Sequence, residues 1–219
     1  ISLGLVGSEM CIRDRGYYLS GHPVIAIDNK IKKIRTNRIS DLNTDIKKSS
    51  LVCLVNSVRQ IKDRKGMPLT FINFDDGSGV MDGIISSEVL ENCHNLLKEG
   101  SILSLKGSVE VDDYRSNDLG ALMFRMRVKE VKSIDEELSK KTKEILIDTM
   151  KSDSITLDDF SEKLELIENI FWKEGTCGIN LKVQTNESEA IIELGDEYKF
   201  KPTLENLFYL EEILSLIHI

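Results

Sequence analysis

Between residues 51 and 131 apolar side chains recur mainly at every second position, the period of a strand with one face buried. Residues 51–61 are rich in β-branched side chains and end in Lys62-Asp63-Arg64-Lys65-Gly66, a charged turn closed by glycine. Residues 68–75 form a second strand, Asp76-Gly77-Ser78-Gly79 a tight turn, and residues 80–85 a third strand. There the period changes. Ser87 can cap a helix over residues 88–98, whose Val89, Leu90, Cys93, Leu96 and Leu97 share one face, and Gly100 ends it. Residues 101–111 and 119–131 read as strands four and five, joined by a polar hairpin loop at 112–118. Three strands, a helix and two more strands is the order of an OB-fold, a five-stranded Greek-key barrel, here assigned to residues 50–134.

A second pattern follows a charged connector at 136–144. A short strand covers 144–150, and Thr156 caps a helix with Asp159 placed to reach back to the cap. Leu157, Phe160, Leu164, Ile167 and Phe171 fall on one face of that helix, and Gly175 stops it. Ile179, Leu181 and Val183 alternate, as do Ala190, Ile192 and Leu194, with Asn186 in the turn between them. Thr203 starts a last helix containing Leu204, Leu207, Phe208 and Leu210. The expected fold class is therefore a β barrel plus an α+β module, the latter β-α-β-β-α over residues 143–213.

Residues 16–49 open with GYYLSGHP and continue as a basic, polar stretch that reads as a linker. The two ends look foreign to the rest. Residues 1–15, ISLGLVGSEMCIRDR, and 214–219, LSLIHI, resemble translated sequencing-adaptor DNA, so the natural chain is expected to continue past both.

Composition narrows the class. The 219 residues are 41% hydrophobic and 30% charged, enough apolar content for real cores. No run approaches the roughly 20 apolar residues of a membrane span, and the first residues lack a basic signal region, so a cytoplasmic protein without membrane contact is expected. Cys11, Cys53, Cys93 and Cys177 are scattered and fit neither a disulfide framework nor a zinc site. The net charge of −8 hides an asymmetry. Residues 16–50 carry seven Lys/Arg against three Asp/Glu, residues 51–132 eleven against twelve, and residues 133–214 nine against twenty. An acidic last module suits a protein partner better than nucleic acid.

Catalytic chemistry is not in evidence. Asp75-Asp76, Asp112-Asp113 and Asp158-Asp159 are adjacent pairs that would point to opposite sides of a strand, and they read as turn or helix-start residues. No glycine-rich phosphate loop or nucleophile–histidine pair can be argued, and no cofactor is expected. Binding is the positive case. OB-folds hold single strands across strands two and three and the flanking loops, by a basic groove and aromatic stacking. The candidates are Arg59, Lys62, Arg64 and Lys65 after strand one, Phe71 and Asn73 on strand two, and Lys106, Arg125 and Arg127 on strands four and five. Phe71 is a barrel-core residue in one reading and a stacking platform in the other. Arg125 and Arg127 alternate with Phe124, Met126 and Val128, so they face outward. With few aromatics and near-neutral charge, weak and salt-sensitive binding is expected.

GYYLSGHP at 16–23, KGMPLTFINFDDGSGVMDGII at 65–85, GSILSLKGSVEVDD at 100–113 and LGDEYKFKPTLENL at 194–207 together resemble, in the right order, the alpha-subunit family of bacterial DNA polymerase III. The resemblance covers residues 16–213. It implies the non-catalytic C-terminal part of a DNA-directed DNA polymerase, with the OB domain touching single-stranded template DNA. It also implies that the last domain docks the tau subunit of the clamp loader, among other replisome subunits. The family's catalytic aspartates lie far upstream, so no catalytic residue is carried over. Two other readings compete: an OB domain of the anticodon-binding type, and an OB module that binds protein.

Overall fold

The computed structural model describes residues 21–62, 66, 68–120, 122–148, 175–184, 189–214 and 217–218, and the chain divides into two units, Ile1–Ser133 and Ile134–Ile219. In the first unit two short helices, α1 (Pro23–Ala26) and α2 (Asp28–Ile31), and a 3-10 turn (Ile39–Asp41) precede the barrel. The barrel strands are β1 (Lys48–Lys62), β2 (Pro68–Asp75), β3 (Val80–Ser86), β4 (Ile102–Val111) and β5 (Phe124–Ser133), with helix α3 (Ser87–Cys93) after β3 and α4 (Asp113–Leu119) after β4. The strands close in the order β1-β2-β3-β5-β4, with β4 returning to β1. Among these five strands only the β3–β5 pair is parallel. This is the expected five-stranded OB barrel.

Closure depends on β1, which pairs with β4 through residues 48–54 and with β2 through residues 54–62. A register shift between Val55 and Ser57 lets one strand bend and serve both neighbours. The period-two pattern then fills the interior with Leu51, Cys53, Val55, Ile72, Phe74, Met81, Ile85, Leu105, Val109, Met126 and Val128. Each such side chain contributes about 1.5–3 kcal/mol by leaving water. Cys93 and Leu97 are buried in the same core, and Val89, Leu90 and Leu96 pack against it. The thiols of Cys53 and Cys93 are thus structural and free, and burial raises the pKa of both.

Several expectations change. Helix α3 ends at Cys93 rather than running to 98, and its N-cap is Ser86, not Ser87. The turn that follows still brings Leu96 and Leu97 onto the core, through hydrogen bonds from both amides to the Cys93 carbonyl. The polar stretch expected as a hairpin loop is helical instead. Asp112 caps α4 by accepting from Arg115 N at 3.2 Å, and Gly120 leaves it at φ +65°, so β5 begins only at Phe124.

The segment expected as a linker is folded from residue 21 on. Val24, Ile27, Ile31 and Ile34 are buried, and so are Ser50, Val52 and Leu54, the side of β1 that faces away from the barrel interior. Ser50 Oγ donates to the Ile34 carbonyl at 3.3 Å, and Thr36 N donates to the Ser50 carbonyl at 2.9 Å. The segment also grips the β2–β3 turn. Gly77 has φ +80°, and a Cβ there would lie 2.6 Å from the Ile25 side chain, so any other residue is strained at this position. The expected artefact-like residues 1–15, like most of the octapeptide, lie outside the described residues.

The second unit begins with a helix, α5 (Ile134–Lys141), where a connector was expected. Strands β6 (Glu144–Asp148), β7 (Gly178–Gln184), β8 (Glu189–Glu193) and β9 (Ile217–His218) form a sheet in the order β8-β7-β6-β9. Helix α6 (Leu204–Leu214) starts after Thr203, whose Oγ1 accepts from Asn206 N at 3.2 Å. The buried apolar residues described in this unit include Ile145, Ile147, Ile179, Leu181, Phe200, Leu207 and Leu210. The β6–β7 pair is parallel, with residues 149–177 in the interval between the two strands. The helix expected at 156–171, with Asp158-Asp159, lies in that interval and outside the described residues. Ile217 and His218, expected as foreign, pair with β6.

Candidate nucleic-acid interface

Barrel register converts the strand alternation into rows on the outer face. Arg59 on β1 pairs with Phe71 on β2, Phe71 with Ile84 on β3, and Ile84 with Arg127 on β5. The adjacent row runs Ser57, Asn73, Asp82 and Arg125, then Glu110 on β4. Ile72 and Phe74 point into the core, so Phe71 and Asn73 point outward and are half-buried. Phe71 is therefore a surface aromatic on strand two rather than a barrel-core residue.

Arg59 and Lys62 are exposed toward the end of β1. Arg64 and Lys65 lie outside the described residues. Lys106 belongs to a different row, opposite Ser50 on β1 and Glu130 on β5, and pairs with Glu130 at 3.3 Å. The hydrogen bond from Lys132, and with it the one from Lys106, outweighs burial and keeps the Glu130 carboxyl below its ordinary range. Of the nine expected residues, Arg59, Phe71, Asn73, Arg125 and Arg127 come together in the two rows, Lys62 stands at their edge, and Lys106 does not join them.

The sequence reading missed the carboxylates of this face. Arg125 Nε donates to Glu110 Oε1 at 2.7 Å, and Arg127 Nε donates to Oε1 and Oε2 at 3.0 and 3.1 Å. Burial opposes ionisation of Glu110, but the two arginine hydrogen bonds and charges together hold its carboxyl below the usual range. Asn73 Nδ2 donates to Asp82 Oδ1 at 2.6 Å and its Oδ1 accepts from Asn56 Nδ2 at 3.1 Å. Asp82 also pairs with Arg115 of α4, which ties the β4–β5 connection to the face. The neighbouring Tyr114 is 83% exposed. Glu110 could have been found from its parity on strand four. The Arg115–Asp82 link spans 33 residues and carries no local signal.

Two of the acidic pairs, Asp75-Asp76 and Asp112-Asp113, sit at a turn and at a helix start. Asp75 Oδ1 accepts from Gly77 N at 2.7 Å, and Asp76 Oδ1 accepts from Ser78 N and Gly79 N at 2.8 and 3.1 Å. Among the described residues no helix is long and apolar enough to cross a membrane.

The tRNA anti-codon family model, described as an OB-fold nucleic acid binding domain, matches residues 52–134. Along most of the chain the similarity is to proteins named DNA polymerase III subunit alpha. The one from Pseudomonas fluorescens is 22% identical over 188 residues, covering 85% of this chain and 15% of that protein. The one from Haemophilus influenzae is 28% identical over 202 residues, covering 91% of this chain and 17% of that protein. Among solved structures, the match to the SSB domain of a Synechococcus sp. protein covers 41% of this chain and 98% of that chain, at 10% identity and a TM-score of 0.33. The chain thus spans 15–17% of the length of those two relatives, carries a match to the OB-fold nucleic acid binding domain, and is similar along most of its length to DNA polymerase III subunit alpha.

Proposed function

We propose that the outer face of the barrel contacts single-stranded DNA as the template-binding part of a replicative polymerase alpha subunit. One observation carries the reading: Arg59, Phe71, Ile84 and Arg127 form one outward row across β1, β2, β3 and β5. That row joins an aromatic ring and an isoleucine to a cation at each end, the combination by which OB faces stack bases and neutralise phosphates. A single stacked base contributes about 1–3 kcal/mol. Glu110 and Asp82 offset part of the positive charge, so affinity is low and falls with salt. The parent polymerase supplies the rest by holding the strand nearby.

The family match also favours a second reading, in which the strand is RNA. Competition against a labelled oligo-dT by unlabelled DNA, oligo-rU and duplex DNA separates the two. Displacement by single-stranded DNA ahead of RNA and duplex supports the template role. Preference for RNA would replace it.

For the last unit we propose docking of the clamp-loader tau subunit. The support is the resemblance, the acidic composition, and Ile191 and Ile192 on β8, 62% and 48% exposed. Calorimetric titration of the chain with the tau subunit tests it. Binding that Ile191→Asp abolishes is the expected result, and absence of binding would remove the proposal.

A further inference from the structure

Arg125 and Arg127 stand two positions apart on β5, so both leave the same face of the strand. Glu110 is directly opposite Arg125 and diagonal to Arg127, within reach of both. Each guanidinium has five N–H donors, one on Nε and four on the Nη atoms. Glu110 takes only the inner donor of each, Arg125 Nε at 2.7 Å and Arg127 Nε at 3.0 Å. The Nη groups of both arginines make no hydrogen bond or ion pair among the described residues. Arg127 remains 62% exposed while holding this contact.

We propose that Glu110 is a positioning residue that gathers the two arginines by their Nε groups and turns their Nη edges outward as one fork for a phosphodiester. A planar guanidinium binds phosphate best through two parallel N–H groups, and the Nη edge left by an Nε-bound carboxylate is such a pair. Without Glu110 each long side chain must be ordered at the moment of binding. The fork also has the right neighbour. Arg127 lies in the row of Ile84 and Phe71, so a phosphate held there sits two strands, about 10 Å, from the ring that would stack a base. Ionised Glu110 is needed for this, and the two arginines keep it so. The inference rests on the single-strand reading above and adds to it the group that builds the phosphate site.

The test turns on a sign. Deleting a carboxylate from a DNA-binding face raises affinity if charge alone matters. Positioning gives the opposite result: Glu110→Ala in the full chain weakens binding to labelled oligo-dT by about three- to tenfold. Glu110→Gln, which keeps one acceptor and the shape of the side chain, weakens it less and stands in if the alanine variant melts early. In a chain already carrying Arg125→Ala and Arg127→Ala, Glu110→Ala causes no further loss, because its effect passes through the arginines. Equal or tighter binding by Glu110→Ala in the arginine-containing chain overturns the inference and leaves the single-strand reading intact. So does a loss that persists without the arginines. Failure of the unmodified chain to bind oligo-dT at low salt overturns both.

Discussion

Asp76 anchors the segment that precedes the barrel to the turn between β2 and β3. It is 4% exposed. Its Oδ1 accepts from Ser78 N at 2.8 Å, Ser78 Oγ at 2.6 Å and Gly79 N at 3.1 Å, while Oδ2 accepts from Ile39 N at 2.8 Å. Asp76→Ala removes every one of these acceptors and strands three backbone N–H groups. A hydrogen bond to a charged group contributes about 1.5–3 kcal/mol, and water at the half-buried Ser78 and Gly79 replaces part of the loss. The net cost is about 3–4 kcal/mol, dominated by Ile39 N and the turn amides. Against the roughly 5–15 kcal/mol that holds a domain together, this is a large fraction. Urea unfolding followed by circular dichroism reads it as a lower midpoint at unchanged slope. Asp76→Asn, which retains one acceptor oxygen, loses about half as much. Hydrogen exchange at Ile39 N accelerates in step. A loss below about 1 kcal/mol for the alanine variant would refute the claim that residues 21–42 are fastened to the barrel through this carboxylate.

Gly107→Ala drives a Cβ into the Arg127 carbonyl oxygen at the register shift of β4 against β5, and costs about 3 kcal/mol in a thermal melt. An unchanged melting temperature would show that β4 and β5 separate freely there. Tyr114→Ala lowers oligo-dT affinity by about 1 kcal/mol or more, whereas Tyr114→Phe keeps the ring and the affinity. Equal affinity for all three would make the exposed ring a bystander. Because the folded-state pKa of Glu110 is depressed, its arginine contacts add stability above the ordinary carboxylate value of 4.5 and lose it as pH falls through the lowered folded value. The stability gap between the unmodified chain and Glu110→Gln therefore closes on acidification, and a gap that persists in acid would contradict the ion-pair assignment.

The barrel was legible because period-two alternation and turn residues act locally. Pro68–Asp75 reads correctly to the residue, since proline opens that strand and Asp-Asp-Gly closes it. Helix α4 was hidden by its polar composition, although Asp112 as cap and Gly120 as stop were visible. The folding of residues 21–42 was hidden by the lysines and arginines around Val24, Ile27, Ile31 and Ile34, yet their spacing of three and four was a helical signal. At the candidate site, outward parity identified Arg125 and Arg127. The choice for Phe71 required knowing that Ile72 and Phe74 point inward. Pairing was beyond reach: Glu110 meets Arg127, 17 residues later, only because β4 and β5 align in one register, and no local pattern encodes that register.

Single-strand binding by the outer face of the barrel is read by fluorescence anisotropy of labelled oligo-dT titrated with the full chain over about 50–200 mM salt. Binding at low salt is expected, its logarithm falling linearly with the logarithm of salt by about 0.7 per phosphate contacted, and Phe71→Ala weakens it by about 1–3 kcal/mol. No binding at the lowest salt, or binding indifferent to both salt and Phe71, would contradict the single-strand reading.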